Sequence, residues 1–449
     1  MPKTRSLTAA LSASLLTLLV GCSTANSPKT TTSAPLSEAS PSPMNPNDAL
    51  SVAAKTVPLV LPAEIANIVT PLIDQYVNTL ASQGFARDSQ GVWIQTGDTL
   101  LANHQGTVPL PAASITKVAT TLAALSTFGT ERQFVTLIGT TGAIENGVLE
   151  GDLVVQGGED PLFVWEEAIA VGNLLNQSGI KQVTGNLIIV DKFYMNFESD
   201  PMKSGNLLKQ GLNAQTWSAE ALSQYQTLPP GTPRPQVAIA GGVQVASSLP
   251  ANVEPIVRHT SYPLAELLKK MNSYSNNKMA QMLADSVGGA KVVAQKAASA
   301  AGVPPAEISL INGSGLGEEN RISPRAAVAM FLAIERYLQP SGMTVADVFT
   351  VVGQDEGILS QRSLPPLAVV KSGSLDRVSS LAGALPTQQQ GTIWFAIMNA
   401  GGSLQMFRTE QESLLRGLVT QWGAVSSPPV ELTPALARKS KTSQSKLLK

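Results

Sequence analysis

The chain has 449 residues, 43% of them hydrophobic and 14% charged, enough for one large domain or two to three ordinary ones. A formal net charge of -1 gives no global signal for nucleic acid or for an acidic partner. The single cysteine, Cys22, excludes a disulfide framework and a cysteine-built zinc site. The only two histidines, His104 and His259, sit in no recognisable nucleophile context.

Residues 1–21 read as a signal peptide. Lys3 and Arg5 precede an uncharged run from Leu7 to Val20, too short and wrongly flanked for a comfortable membrane span. The run ends in Leu19-Val20-Gly21-Cys22, which resembles a bacterial lipobox. That resemblance implies cleavage before Cys22, acylation there, and a lipid-anchored protein on the periplasmic side of a bacterial membrane. An ordinary signal peptide with an incidental cysteine is the plain alternative. Residues 22–57 are Ser, Thr and Pro-rich and predict a disordered tether.

Helical spacing of Ile65, Ile68, Val69, Leu72, Ile73 and Tyr76 predicts the first helix of the folded part. "GVWIQTG" and "DTLLANHQG" predict two strands joined at a glycine turn. "PAASITKVATTLAAL", Pro111 to Leu125, predicts a buried helix. Residues 133–255 read as β-rich, with Asn146-Gly147 between apolar runs as a hairpin signal. From Pro263 the pattern turns helical, and "AVVKSGS" and "GTIWFAIMNA" are strand candidates. Residues 425–449 carry Arg438, Lys439, Lys441, Lys446 and Lys449 against Glu431 alone and predict a disordered basic tail. The layout implies a mixed α/β (α+β) fold with a β-rich domain inserted at 133–255 between two catalytic segments, 58–132 and 256–424.

The buried helix raises a question, because Lys117 follows Ser114 by three residues and so shares its face. A buried lysine is costly unless it is paired or used. In a desolvated site its pKa falls, and it can take the proton of a serine without histidine. Ser-x-x-Lys alone is weak: it occurs at Ser114, Ser178, Ser275 and Ser443. Two further strings change the weight. "YSNNK" offers the Ser275 hydroxyl for proton relay and the Asn277 amide for a substrate amide. "VVKSGSL" sets Lys371, Ser372, Gly373 and Ser374 on a strand, where lysine and hydroxyls suit a carboxylate and glycine allows close approach. Their plain readings are a polar helix end and a solvated hairpin edge.

The order Ser-x-x-Lys, Ser-x-Asn, Lys-Ser/Thr-Gly is that of the penicillin-recognising serine enzymes. With "GDLVVQGGEDPLF", "NGSGLGEENRISP" and "SSLAGAL", the chain resembles the D-alanyl-D-alanine carboxypeptidase/endopeptidase family of class C low-molecular-weight penicillin-binding proteins over about residues 60 to 420. The resemblance implies a penicillin-binding-protein/β-lactamase-like transpeptidase fold: a five-stranded antiparallel sheet flanked by helices, with an insertion of reduced size. It implies a serine-type carboxypeptidase acting on peptidoglycan stem peptides, with DD-endopeptidase action as a second outcome of the same chemistry. β-Lactams are implied as inhibitors, and no cofactor, metal or nucleic acid is implied. Ser114 would be the nucleophile, Lys117 its base, Ser275 the proton relay influenced by Lys371, and Asn277 a ligand of the acyl part. Ser372, Gly373 and Ser374 would hold the terminal carboxylate. Asp160 would meet a side-chain amine or serve only as a turn residue. Arg321 stands near the place of a family arginine that is otherwise replaced by Gly317-Glu318. Two alternatives stay open: a catalytically silent cell-wall-binding lipoprotein, and a β-lactamase or esterase on the same scaffold.

Overall fold

The computed structural model describes residues 63–436 and 441–448. The predicted leader, Cys22 and the tether lie outside the described residues. Among the described residues the main sheet has six antiparallel strands. Their order is Thr350–Val351, Val369–Leu375, Val378–Thr387, Gly391–Ala400, Gln90–Thr96 and Thr99–His104. The family resemblance implied five; a two-residue strand, Thr350–Val351, stands at one edge. Gln90–Thr96 and Thr99–His104 form the predicted hairpin, closed by the Thr96–Thr99 pair.

Successive side chains of a strand point to opposite faces, so a sheet covered on both sides reads as a continuous apolar run. Val378–Thr387 is buried at all ten positions. Val92, Ile94, Val370, Leu381, Phe395 and Ile397 pack against the helices Ala63–Ser82 and Leu404–Trp422, through Val69, Leu80, Phe407 and Leu415. Their neighbours Trp93, Val369, Ala382, Ala396 and Met398 belong to the opposite layer. There the helix Thr116–Phe128 is buried continuously from Thr116 to Leu125. A helix buried on every side belongs in a core, and its buried Thr116, Lys117, Thr120 and Thr121 are the polar exceptions. Each fully buried Val or Leu on it contributes about 1.5–3 kcal/mol.

The helical stretch after Pro263 is not one helix. Leu264–Ser273 ends, Asn277–Val287 begins, and Ser275 between them holds φ at +51°. Asn276 caps the second helix by accepting from the N–H groups of Lys278 and Met279. The break gives Ser275 a turn instead of a helix face.

The inserted region is α/β, richer in helix than its sequence pattern predicts. Val243–Ala246, Leu187–Val190 and Leu153–Gln156 run parallel, and Val135–Thr140 and Glu254–Thr260 continue the sheet antiparallel. Helices Trp165–Gln177, Pro201–Gly211 and Ala219–Tyr225 accompany them, with Phe163, Trp165, Ile189 and Leu208 in their core. Parallel strands need crossover connections, which these helices supply. The Asn146-Gly147 hairpin is present, with Glu145 opposite Val148.

The C-terminal tail departs from expectation. Residues 425–449 predict disorder, yet Gln444–Leu447 is the outer strand of the insert's sheet, antiparallel to Glu254–Thr260. An edge strand needs backbone partners and not apolar side chains, and lysine is a common residue there. That is why a lysine-rich sequence conceals it. Ser445 adds a hydrogen bond to His259, and Ser443 donates one to Glu167.

Candidate active site

Ser114 lies in a single 3-10 turn, Ala113–Ile115, that leads into the helix Thr116–Phe128. Ala113 holds φ at +45° to make that turn. Non-glycine residues in this region carry strain that surrounding structure must hold in place. Two neighbours do so. Gly315 (φ +86°) passes so close that a Cβ there would stand 1.8 Å from the Ala113 carbonyl oxygen. On the other side a Cβ on Gly373 would meet the Ser114 nitrogen at 2.7 Å and the Ala112 oxygen at 2.8 Å. The third box is therefore pressed against the start of the first.

Lys117 is fully buried. Its Nζ donates to Ser114 Oγ at 2.9 Å, to Asn277 Oδ1 at 2.7 Å and to the Ser314 carbonyl at 2.7 Å. No carboxylate stands among these partners, so burial pushes the amine down to about 7. The Ser314 carbonyl is delivered by the "NGSGLGEENRISP" loop, which two asparagines hold. Asn312 Oδ1 accepts from the N–H groups of Ser314 and Gly315, and Asn320 Oδ1 accepts from that of Ile311. The string thus fixes a backbone oxygen on Lys117 and a glycine under Ala113.

Lys371 is also buried. Its Nζ donates to Ser275 Oγ at 3.0 Å and to the Ser372 carbonyl at 2.6 Å. Burial first, and the nearby Lys117 charge second, hold it well below the ordinary lysine range. A cleft of about 520 Å³ opens on Ser114, Ser275, Asn277, Ser372 and Ser374. Three distant motifs thus converge on one cavity. A smaller cleft of about 310 Å³ is lined by Leu162, Glu166 and Phe197 of the insert together with Tyr262, Tyr274 and Asn276. The insert therefore supplies a wall one residue away from Ser275.

Two of the expected site residues are elsewhere. Asp160 is buried in the insert, where Oδ2 lies 3.0 Å from His259 Nε2 and Oδ1 accepts from the Leu162 N–H. It lines neither cleft. Of the two sequence readings of Asp160, the turn residue before Pro161 matches the Leu162 N–H bond, and the second carboxylate oxygen is engaged by a histidine 99 positions away. Asp160→Ala is expected to cost about 3 kcal/mol, because it leaves the buried Nε2 of His259 and the Leu162 N–H without partners. Chemical denaturation will read that loss, and the acylation rate per folded molecule should not change. Arg321 is exposed, in the two-residue strand Arg321–Ile322 that pairs with Leu110–Pro111, and it does not line the main cleft.

The main cleft also holds Arg362, Arg408 and Glu412, which no sequence motif announced. Arg362 Nε lies 2.5 Å from Glu412 Oε1, and Arg408 Nη2 lies 2.9 Å from Ser374 Oγ. They come from a loop and from the final helix, with no local spacing to the three boxes.

The chain is similar to the D-alanyl-D-alanine carboxypeptidase DacB of Haemophilus influenzae, 23% identical over 63% of this chain and 79% of that protein. It is similar to a carboxypeptidase of Mycobacterium tuberculosis, 25% identical over 65% of this chain and 71% of that protein. A predatory endopeptidase of Bdellovibrio bacteriovorus shares the fold with a TM-score of 0.64 at 19% identity, covering 79% of this chain and 99% of its own. The model of the D-Ala-D-Ala carboxypeptidase 3 (S13) family matches residues 74–221 and 234–420, and the chain belongs to that family.

Proposed function

We propose that the chain is a serine-type D-Ala-D-Ala carboxypeptidase of peptidoglycan stem peptides. The observation that carries this reading is the 2.9 Å contact between Ser114 Oγ and the buried Lys117 amine, whose pKa near 7 makes it a base at neutral pH. With the amine neutral, Ser114 gives its proton to Lys117 as Oγ attacks the penultimate D-alanine carbonyl. The C–O bond forms, the C–N bond breaks, and the proton reaches the leaving amine through Ser275, which Lys371 holds in place. The backbone N–H groups of Ser114 and Ser374 receive the oxyanion, a contribution of about 3 kcal/mol per donor in other enzymes. Asn277 binds the acyl side. Water then cleaves the ester and frees the shortened peptide.

The same acyl-enzyme serves an endopeptidase, since in both reactions the bond cut lies between two D-centres. The related Bdellovibrio endopeptidase gives this second reading its support. The test is the intact mass of the folded protein after incubation with benzylpenicillin, followed by peptide mapping. One adduct per chain on Ser114 is expected. A folded sample that forms none would return the chain to the class of silent cell-wall-binding proteins.

A further inference from the structure

Arg408 sits in the first turns of the helix Leu404–Trp422, which Ser403 caps. It lines the same cleft as Ser114, and its Nη2 donates to Ser374 Oγ at 2.9 Å. Its Nε is buried and has no hydrogen-bond partner, and no carboxylate pairs with it among the described residues. Glu412, one helical turn further on, is taken by Arg362 at 2.5 Å. Arg362 also donates to Gln411 Oε1 at 3.3 Å and to the Arg408 carbonyl at 3.4 Å, so it holds the Arg408 backbone while its own fork is occupied.

The other cations of the cleft are spoken for. Lys117 and Lys371 are buried, point to internal oxygens, and are driven toward their neutral forms. A neutral amine is a poor counterion. A guanidinium is a lasting cation whose planar donors match a carboxylate, and a serine hydroxyl satisfies only part of that fork.

We propose that Arg408, with Ser374, binds the free carboxylate carried by the leaving residue of the substrate. The assignment rests on the D-Ala-D-Ala peptidase reading and adds to it a specificity-determining residue. It makes the free carboxylate next to the scissile amide a requirement, whether the leaving residue is a terminal D-alanine or the D-centre of a cross-link. Arg408 takes no part in proton transfer. It orients the leaving side so that the carbonyl lies over Ser114.

The experiment compares acylation rate constants for benzylpenicillin, which has a free carboxylate, and for its methyl ester, by intact mass. Wild type, Arg408→Gln and Arg408→Lys are compared in the full chain, with thermal melts to establish folding. Arg408→Gln is expected to slow the acid by about 30-fold and the ester by less than about twofold, the size of a charge-assisted hydrogen bond. Arg408→Lys should recover part of the acid rate. An unchanged acid-to-ester ratio would remove Arg408 from the binding site, and an equal fall of both rates would make it a structural residue instead. If Arg408→Gln does not fold, the ratio in Arg408→Lys decides: a fall below wild type supports the guanidinium fork on the carboxylate, and a ratio equal to wild type overturns it. A wild type that reacts with neither compound would overturn the peptidase reading itself.

Discussion

Lys117→Met is expected to slow acylation of Ser114 by about 10⁴-fold, the upper range for loss of a positioned general base. Methionine keeps the volume and the apolar stem and removes only the amine, so the loss reports the proton acceptor. The wild-type pH profile gives an independent check. Only the neutral amine accepts a proton, and burial brings Lys117 to about 7. The acylation rate should therefore fall tenfold per unit below pH 7 and level off above it. The Lys117 charge in turn helps to hold Lys371 low, so the limb belongs to the pair. Stability carries the same signature. The folded pKa lies below the unfolded value of 10.5, so the unfolded chain binds more protons between about 7 and 10.5. Stability should rise with pH across that window, and Lys117→Met should flatten the part of the rise that belongs to Lys117. A flat wild-type profile from pH 5 to 9 would sink the assignment of Lys117 as base.

Gly373→Ala is expected to cost between about 10²- and 10³-fold in acylation, the range for loss of one oxyanion donor. Its Cβ would meet the Ser114 nitrogen at 2.7 Å and the Ala112 oxygen at 2.8 Å, with Ala113 Cβ at 3.0 Å. Two of the three are backbone atoms, which cannot swing aside. The strand Val369–Leu375 must move away from the Ala113–Ile115 turn, which separates the Ser114 and Ser374 N–H groups proposed as the oxyanion donors. The loss should fall on the acylation step, with the melting temperature lowered by a few degrees through overpacking of about 1–3 kcal/mol. Full activity in a folded Gly373→Ala chain would mean that strand and turn are not held at contact.

The catalytic cluster was legible because each box is local. Ser114 and Lys117 meet where a 3-10 turn runs into a helix, Ser275 and Asn277 flank one helix start, and the Lys371 box lies on one strand. Chemistry that needs fixed short spacing leaves it in the sequence. Asp160 and Arg408 fail that condition in opposite directions. The Asp160 string looks like a ligand site, but its partner His259 arrives from a different strand. Arg408 is an unremarkable arginine on an amphipathic helix until the fold brings it to Ser374. The hairpins Gln90–His104 and Ile144–Leu149 were legible from alternation and turn glycines. The helices of the insert were not, because short apolar runs bounded by glycine fit either element. Asp160 and His259 are buried, and the half-buried Ser445 of the edge strand extends their hydrogen-bonded chain.

The strand Gln444–Leu447 has a consequence for how the molecule comes to be. The insert's sheet is assembled from residues 135–260 and is then completed by a segment more than 180 positions downstream. A chain that emerges from its N-terminal side must therefore hold the Glu254–Thr260 edge open while the whole second catalytic segment is made. Contacts of such long separation are the slow ones to form. Pairing of Gln444–Leu447 with Glu254–Thr260 is therefore a long-range step onto a region whose other strands are near one another in sequence.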